Sequence, residues 1–185
     1  MKKFGWLILK LFGWKIVGEL PKDKKYLVVV APHTSNWDFL VGLFARFEMG
    51  VKIHFIAKNQ LFFFPLGPLL KVLGGTPVDR SKKNKTVDQV VNMFDSRDEF
   101  CLAITPEGTR SPVTRWKEGF YHIACKAGLP LVLIGFDYSL KEIRIQPPYW
   151  PTGDIEKDFP HLLDFFRTVK GRYPKEIPDY HPQVK

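Results

Sequence analysis

Two hydrophobic periods alternate along this chain. The run Tyr26-Leu-Val-Val-Val-Ala31 is apolar throughout, rich in β-branched residues and bracketed by Pro21 and Pro32. Such a run predicts a strand buried on both faces. Further runs predict strands at 52–57, 76–79, 100–105, 130–136 and 142–146. Between them the period lengthens: Lys85–Phe94 places apolar residues at 87, 90, 91 and 94, one face of a helix. Helices are predicted at 38–48, 64–73, 84–96, 118–127 and 155–171, with Gly128 suited to end the fourth. Strands alternating with helices predict an α/β fold with a mainly parallel central sheet flanked by helices. The stretch 147–185 is rich in proline and charge. Its helix is expected to close the sheet, and the tail after Pro174 to be loosely held. No internal repeat, low-complexity run or linker divides the chain, and 185 residues fit one domain.

The amino terminus breaks this pattern. Met1–Val17 is apolar but interrupted by Lys10 and Lys15, and it carries Trp6 and Trp14. A membrane-spanning helix needs about 20 largely uncharged residues, so none is predicted. A small-residue cleavage site is missing, which argues against a signal peptide. Lysines and tryptophans on an apolar helix suit one lying in a membrane interface; packing on the domain's own core is the alternative. Residues 1–20 are therefore read as an amphipathic amino-terminal helix and 21–185 as a single domain. Asn59–Leu73, with three consecutive phenylalanines, could contact lipid, line an acyl channel or form a buried helix.

The candidate chemistry sits at predicted strand ends. His33 follows the first buried strand, where open α/β sheets place ligands, and Asp38 opens the next helix. Across a strand–turn–helix junction the two can face each other, and an imidazole held by a carboxylate is a general base with a fixed tautomer. Asp38 acting only as a helix cap is the plainer alternative. Pro106-Glu-Gly-Thr-Arg-Ser111 follows another buried strand, offering a glycine turn, two hydroxyls and a guanidinium suited to phosphate. Arg80 ends a third strand, as a phosphate clamp or as a surface partner of Asp79. Lys58 could meet a phosphate or be solvated, and Asn36 could bond backbone or substrate, while Trp37 is expected to pack.

The order His33-x4-Asp38, Gly74…Arg80, Pro106-Glu-Gly-Thr-Arg110 and Leu129-Pro-Leu-Val-Leu-Ile134 resembles the glycerolipid acyltransferase family, over about residues 25–140. Its best-known members are 1-acyl-glycerol-3-phosphate (lysophosphatidic acid) acyltransferases. The resemblance implies that 21–185 is an acyltransferase domain, with His33 the general base and Asp38 the residue that orients it. It implies an acceptor-phosphate pocket of Arg80, Glu107, Gly108, Thr109 and Arg110, and a Leu129–Ile134 strand lining the acyl or acceptor channel. Thr76, Pro77, Thr105 and Leu133 depart from the usual residues, which alters pocket walls and leaves the acceptor open.

Mechanistically, the chain lacks a Gly-x-Ser-x-Gly elbow, and Cys101 and Cys125 lie in apolar stretches away from any base. Ser35 suits a turn hydroxyl better than a nucleophile. Direct attack by an acceptor hydroxyl on acyl-CoA or acyl carrier protein fits best, with no cofactor beyond that co-substrate and no metal, since ligand spacing is lacking. The expected activity is acylation of a lysophospholipid in phospholipid biosynthesis. The alternatives are another hydroxyl or amine lipid as acceptor, or a non-catalytic peripheral membrane protein. A net charge of +9, without a nucleic-acid-binding module, points to an anionic membrane surface. The expected location is the cytoplasmic face of a membrane, peripheral or monotopic.

Overall fold

The computed structural model describes residues 1–78 and 83–182, without the side chains of residues 58, 61 and 83–85. Its strands are β1 (Lys15–Val17), β2 (Lys25–Val30), β3 (Ile53–Lys58), β4 (Gly75–Val78), β5 (Phe100–Ile104), β6 (Leu131–Asp137) and β7 (Glu142–Ile145). They form one seven-stranded sheet in the order β1-β7-β6-β2-β5-β3-β4. Every pairing is parallel except β6 with β7, so the mainly parallel α/β architecture is as the sequence predicts.

The helices are α1 (Lys2–Leu11), α2 (Trp37–Met49), α3 (Leu66–Val72), α4 (Lys83–Asp95), α5 (Gly119–Ala127) and α6 (Ile155–Arg167). Strand β2 alternates between two cores. Leu27, Val29 and Ala31 join Val90, Phe94, Phe120, Ile123, Leu162 and Phe166 of α4, α5 and α6. Tyr26 and Val28 join Leu9 of α1 and Val41 and Ala45 of α2 on the opposite face. Burial on both faces explains why β2 reads as an unbroken apolar run.

Four expectations need correction. The amino-terminal helix ends at Leu11 rather than spanning residues 1–20, and Lys15–Val17 adds an edge strand parallel to β7. α1 is two-faced: Gly5 and Leu9 are buried toward the domain, whereas Phe4, Trp6, Leu7, Leu11 and Phe12 are exposed. The apolar stretch 59–73 is not a buried helix, because Phe63, Phe64, Leu69 and Val72 are open to solvent. The tail after Pro174 is packed rather than loose. Ile177 and Tyr180 lie on the α4–α6 core, the Tyr180 ring is 4.9 Å from that of Phe159, and Arg167 pairs with Asp179 at 2.7 Å. Helix α6 stops at Arg167, and residues 168–177 turn back across the carboxyl ends of the strands.

Among the described residues, no helix is long and apolar enough to cross a membrane.

Candidate active site

The sheet order decides where chemistry can occur. β2 lies between β5 and β6, and the chain continues from β2 to β3 on one side and reaches β6 on the other. Such reversals open a crevice at the carboxyl ends of the strands. Pro32 ends β2, and residues 33–36 cross the crevice mouth before α2 begins.

His33 and Asp38 meet there. His33 Nδ1 lies 2.9 Å from Asp38 Oδ2. The same oxygen accepts from the amides of Thr34 and Ser35 at 2.8 and 2.9 Å. The carboxylate therefore shapes the turn that presents the imidazole, while Asn36 occupies the cap position of α2. The other Asp38 oxygen accepts from the Tyr138 hydroxyl at 2.8 Å. Burial alone would raise the Asp38 pKa, but these four donors outweigh it and hold the group below its ordinary value. Asp38 thus stays anionic beside the ring. With Nδ1 facing Asp38, Nε2 is the ring nitrogen left to exchange a proton. The His33 side chain is 24% exposed, open enough for substrate yet partly enclosed.

The end of β5 supplies the second half. Glu107 Oε2 accepts from the His33 amide at 2.7 Å, and Oε1 lies 3.0 Å from Lys175 Nζ. The Glu107 side chain is fully closed to solvent. Burial raises its pKa; the Lys175 ammonium and the His33 amide oppose this without overcoming it. The resemblance puts Glu107 in the acceptor-phosphate pocket. Here its carboxylate is turned inward, where it ties the loop to the His33 backbone instead of facing a ligand. Gly108 takes φ +67, a left-handed conformation that lets the loop reverse. Thr109 and Arg110 follow on the exposed rim, and Arg110 donates to the Asn36 side-chain oxygen. Arg110 and Asn36 thus stand together at the end of the turn that carries His33.

The remaining expectations divide. Lys58 ends β3 on the same side of the sheet, and Arg80 lies outside the described residues. Trp37 does not pack inside: it is 49% exposed, with the Arg172 guanidinium 5.3 Å over its ring. The Ser35 hydroxyl accepts from the Trp37 amide at 3.2 Å, a turn role. Burial pushes the Cys101 thiol up to about 12, despite its bond to Tyr26, so it is no nucleophile. Leu129 and Leu131–Ile134 are all buried in the core beside β2, so that strand supports the site and lines no open channel. Tyr138 and Lys175 reach the site without belonging to any motif. Tyr138 directly follows a fully buried strand, a position that strand-end reasoning can flag.

Comparison with known proteins identifies the family. The model of the family described as Acyltransferase matches residues 15–137, from β1 to the last residue of β6. The chain belongs to the acyltransferase family. Family relatives include the 1-acyl-sn-glycerol-3-phosphate acyltransferase of Saccharomyces cerevisiae, 31% identical over 64% of this chain and 41% of that protein. A probable 1-acyl-sn-glycerol-3-phosphate acyltransferase of Mycoplasma genitalium is 29% identical over 75% of this chain and 54% of that protein. The chain thus spans about half the length of these curated relatives or less. The crystal structure of the 1-acyl-sn-glycerophosphate acyltransferase of Thermotoga maritima superposes with a TM-score of 0.59 at 21% identity, covering 94% of this chain and 80% of that one. The last comparison establishes the shared fold.

Proposed function

We propose that this acyltransferase-family protein moves a fatty acyl group from a thioester, acyl-CoA or acyl carrier protein, to the hydroxyl of a lysophospholipid such as 1-acyl-glycerol-3-phosphate. The observation that carries this reading is the 2.9 Å contact between His33 Nδ1 and an Asp38 carboxylate fixed by three further donors. Asp38 accepts a hydrogen bond from Nδ1–H, leaving Nε2 to take the proton of the acceptor hydroxyl. The freed oxygen attacks the thioester carbonyl, the tetrahedral adduct collapses, and the thiolate departs with the proton returned by His33. Asp38 remains ionised throughout and stabilises the transient imidazolium. The thioester brings its own activation, so the reaction as written needs no resident cofactor. Arg110, with Asn36 at the same rim, binds the acceptor phosphate, and Arg80 and Lys58 are proposed to add charge there.

Membrane attachment at an anionic cytoplasmic surface belongs to the same proposal. The exposed aromatic face of α1 carries Lys3 and Lys10 among Phe4, Trp6, Leu7, Leu11 and Phe12, a composition suited to a headgroup boundary. The names of the relatives favour 1-acyl-glycerol-3-phosphate as acceptor.

The test is thiol release from palmitoyl-CoA in mixed micelles, with and without lysophosphatidic acid, beside His33→Ala. Acceptor-dependent release is expected, falling by about 10²–10⁴-fold in the variant, the usual worth of a positioned base. Equal release from both proteins would remove His33 from the mechanism. Release without acceptor would point to hydrolysis or another acceptor. Binding of vesicles without turnover on any thioester would leave a membrane-binding role.

A further inference from the structure

Residues 168–177 lie beyond the span matched by the family, yet they run across the site. Val169 is buried against Gly135 of β6, and the Lys170 carbonyl accepts from the Tyr138 amide at 2.8 Å. Gly171 lies against Thr34 and Pro32, and the Tyr173 amide donates to Thr34 Oγ1 at 3.4 Å. The segment then delivers Lys175 beneath the catalytic turn. Its ammonium lies 3.0 Å from Glu107 Oε1, 3.1 Å from the His33 carbonyl oxygen and 3.2 Å from the Thr109 carbonyl oxygen. Only 2% of the Lys175 side chain is exposed. Lysine is rarely buried without partners for its charge, and here one cation joins both halves of the site. From Lys175 the link runs through Glu107 to the His33 amide and directly to the His33 carbonyl.

We infer that Lys175 is a positioning residue for acyl transfer, fixing the His33 backbone against the Glu107–Arg110 loop so that base and acceptor site keep one spacing. This rests on the function proposed above. Lys175 touches no reacting atom, and on the phosphate rim it reaches only the backbone carbonyl of Thr109. Its effect passes through the placement of His33, so it belongs to kcat rather than to donor binding. A misplacement of about 1 Å can cost a hundredfold in rate.

Lys175→Met leaves a closed-off carboxylate without its cation. The charged and titratable groups around Glu107 are Lys175 from the tail, His33 from the end of β2 and Lys117, whose ammonium lies beside Gly108. Without Lys175, Glu107 takes up a proton at higher pH. The variant is therefore expected to lose about ten- to a hundredfold in kcat with donor KM unchanged, and its acid limb should move to higher pH. Glu107→Gln combined with Lys175→Met should return the acid limb to its wild-type position while kcat stays low. That double variant, with no charge buried unpaired, also replaces the single one should the latter not fold. Wild-type kcat and pH profile in the folded variants would overturn the inference, as would a loss equal only to the unfolded fraction. Absence of acyl transfer by the wild type would instead defeat the function on which it rests. A second readout needs no turnover: exchange of the His33 amide, bonded to Glu107, should quicken in Lys175→Met, and an unchanged rate would count against the link.

Discussion

Tyr138→Phe is the sharpest test of the His33–Asp38 turn. The change removes one hydroxyl and keeps the ring, which packs edge-on against Trp14 at 4.9 Å. What is lost is the 2.8 Å bond to Asp38 Oδ1, one of four donors to a buried carboxylate. A hydrogen bond to a charged group contributes about 1.5–3 kcal/mol, and the phenyl edge cannot replace it. The loss should appear in stability with a definite pH dependence. Asp38 is held below its ordinary value in the fold, so its contribution is present above the unfolded carboxylate value, about 3.9, and is lost as pH falls through the folded value. Removing a donor lifts the folded value back toward the unfolded one. Urea melts at neutral pH should therefore show Tyr138→Phe less stable by about 1.5–3 kcal/mol, and the gap should narrow in acid, as pH falls below the unfolded value and through the folded ones. Catalysis should weaken too, because the carboxylate that orients His33 has lost one of its restraints. A gap that does not narrow as acid protonates Asp38 in the folded protein, or no gap at all, would refute the claim that this hydroxyl helps to hold Asp38 ionised.

Other changes probe separate parts of the molecule. In Gly5→Ala the new Cβ would lie 2.5 Å from the Glu48 amide nitrogen and 2.6 Å from the Phe44 carbonyl oxygen. Backbone on both sides cannot yield, so α1 must lift from α2, at about 1–3 kcal/mol by thermal or urea unfolding; unchanged stability would contradict the close crossing. Arg110→Lys loses the planar fork that reaches Asn36, and the acceptor KM should rise about tenfold with donor KM unchanged in micelle kinetics. Trp6→Ser with Phe12→Ser removes two exposed aromatics whose burial in a headgroup region contributes roughly 1.5–3 kcal/mol each at most. Sedimentation with phosphatidylglycerol vesicles should fall at least about tenfold without a change in circular dichroism, and undiminished sedimentation would move the contact elsewhere.

What could be read from the chain tracks how local each feature is. His33 and Asp38 are five residues apart, with a buried strand before them and a helix after, so spacing alone places them at a junction. The stripe at 87, 90, 91 and 94 turns inward as its period predicts, and Gly128 ends α5 in the left-handed conformation. β1 escaped the hydrophobic pattern because its three residues continue the apolar content of α1. Gly13, at φ +75 just past the helix cap, is the stop signal that separates them. Trp37 looked like core by residue type, but its position at the first turn of α2 faces the crevice mouth, where Arg172 covers it instead.

Tyr138 and Lys175 show a different kind of limit. They lie 100 residues from Asp38 and 142 from His33, and no periodicity links them to the motif. Tyr138 reaches the site because β6 pairs with β2, so that consecutive carboxyl ends face one crevice. Lys175 reaches it because α6 ends at Arg167 and the chain doubles back over Thr34. Both follow from strand order and chain reversal, which a single sequence does not state. The motif residues supply groups that can react, whereas these two decide how firmly those groups are held. A buried carboxylate paired with neither hydroxyl nor ammonium would tend to take up a proton. Tyr138 acts in this way on Asp38, and Lys175 on Glu107. Each acid of the motif blocks thus draws part of its support from a residue outside those blocks, and the His33 ring and backbone each rest on one of the two acids.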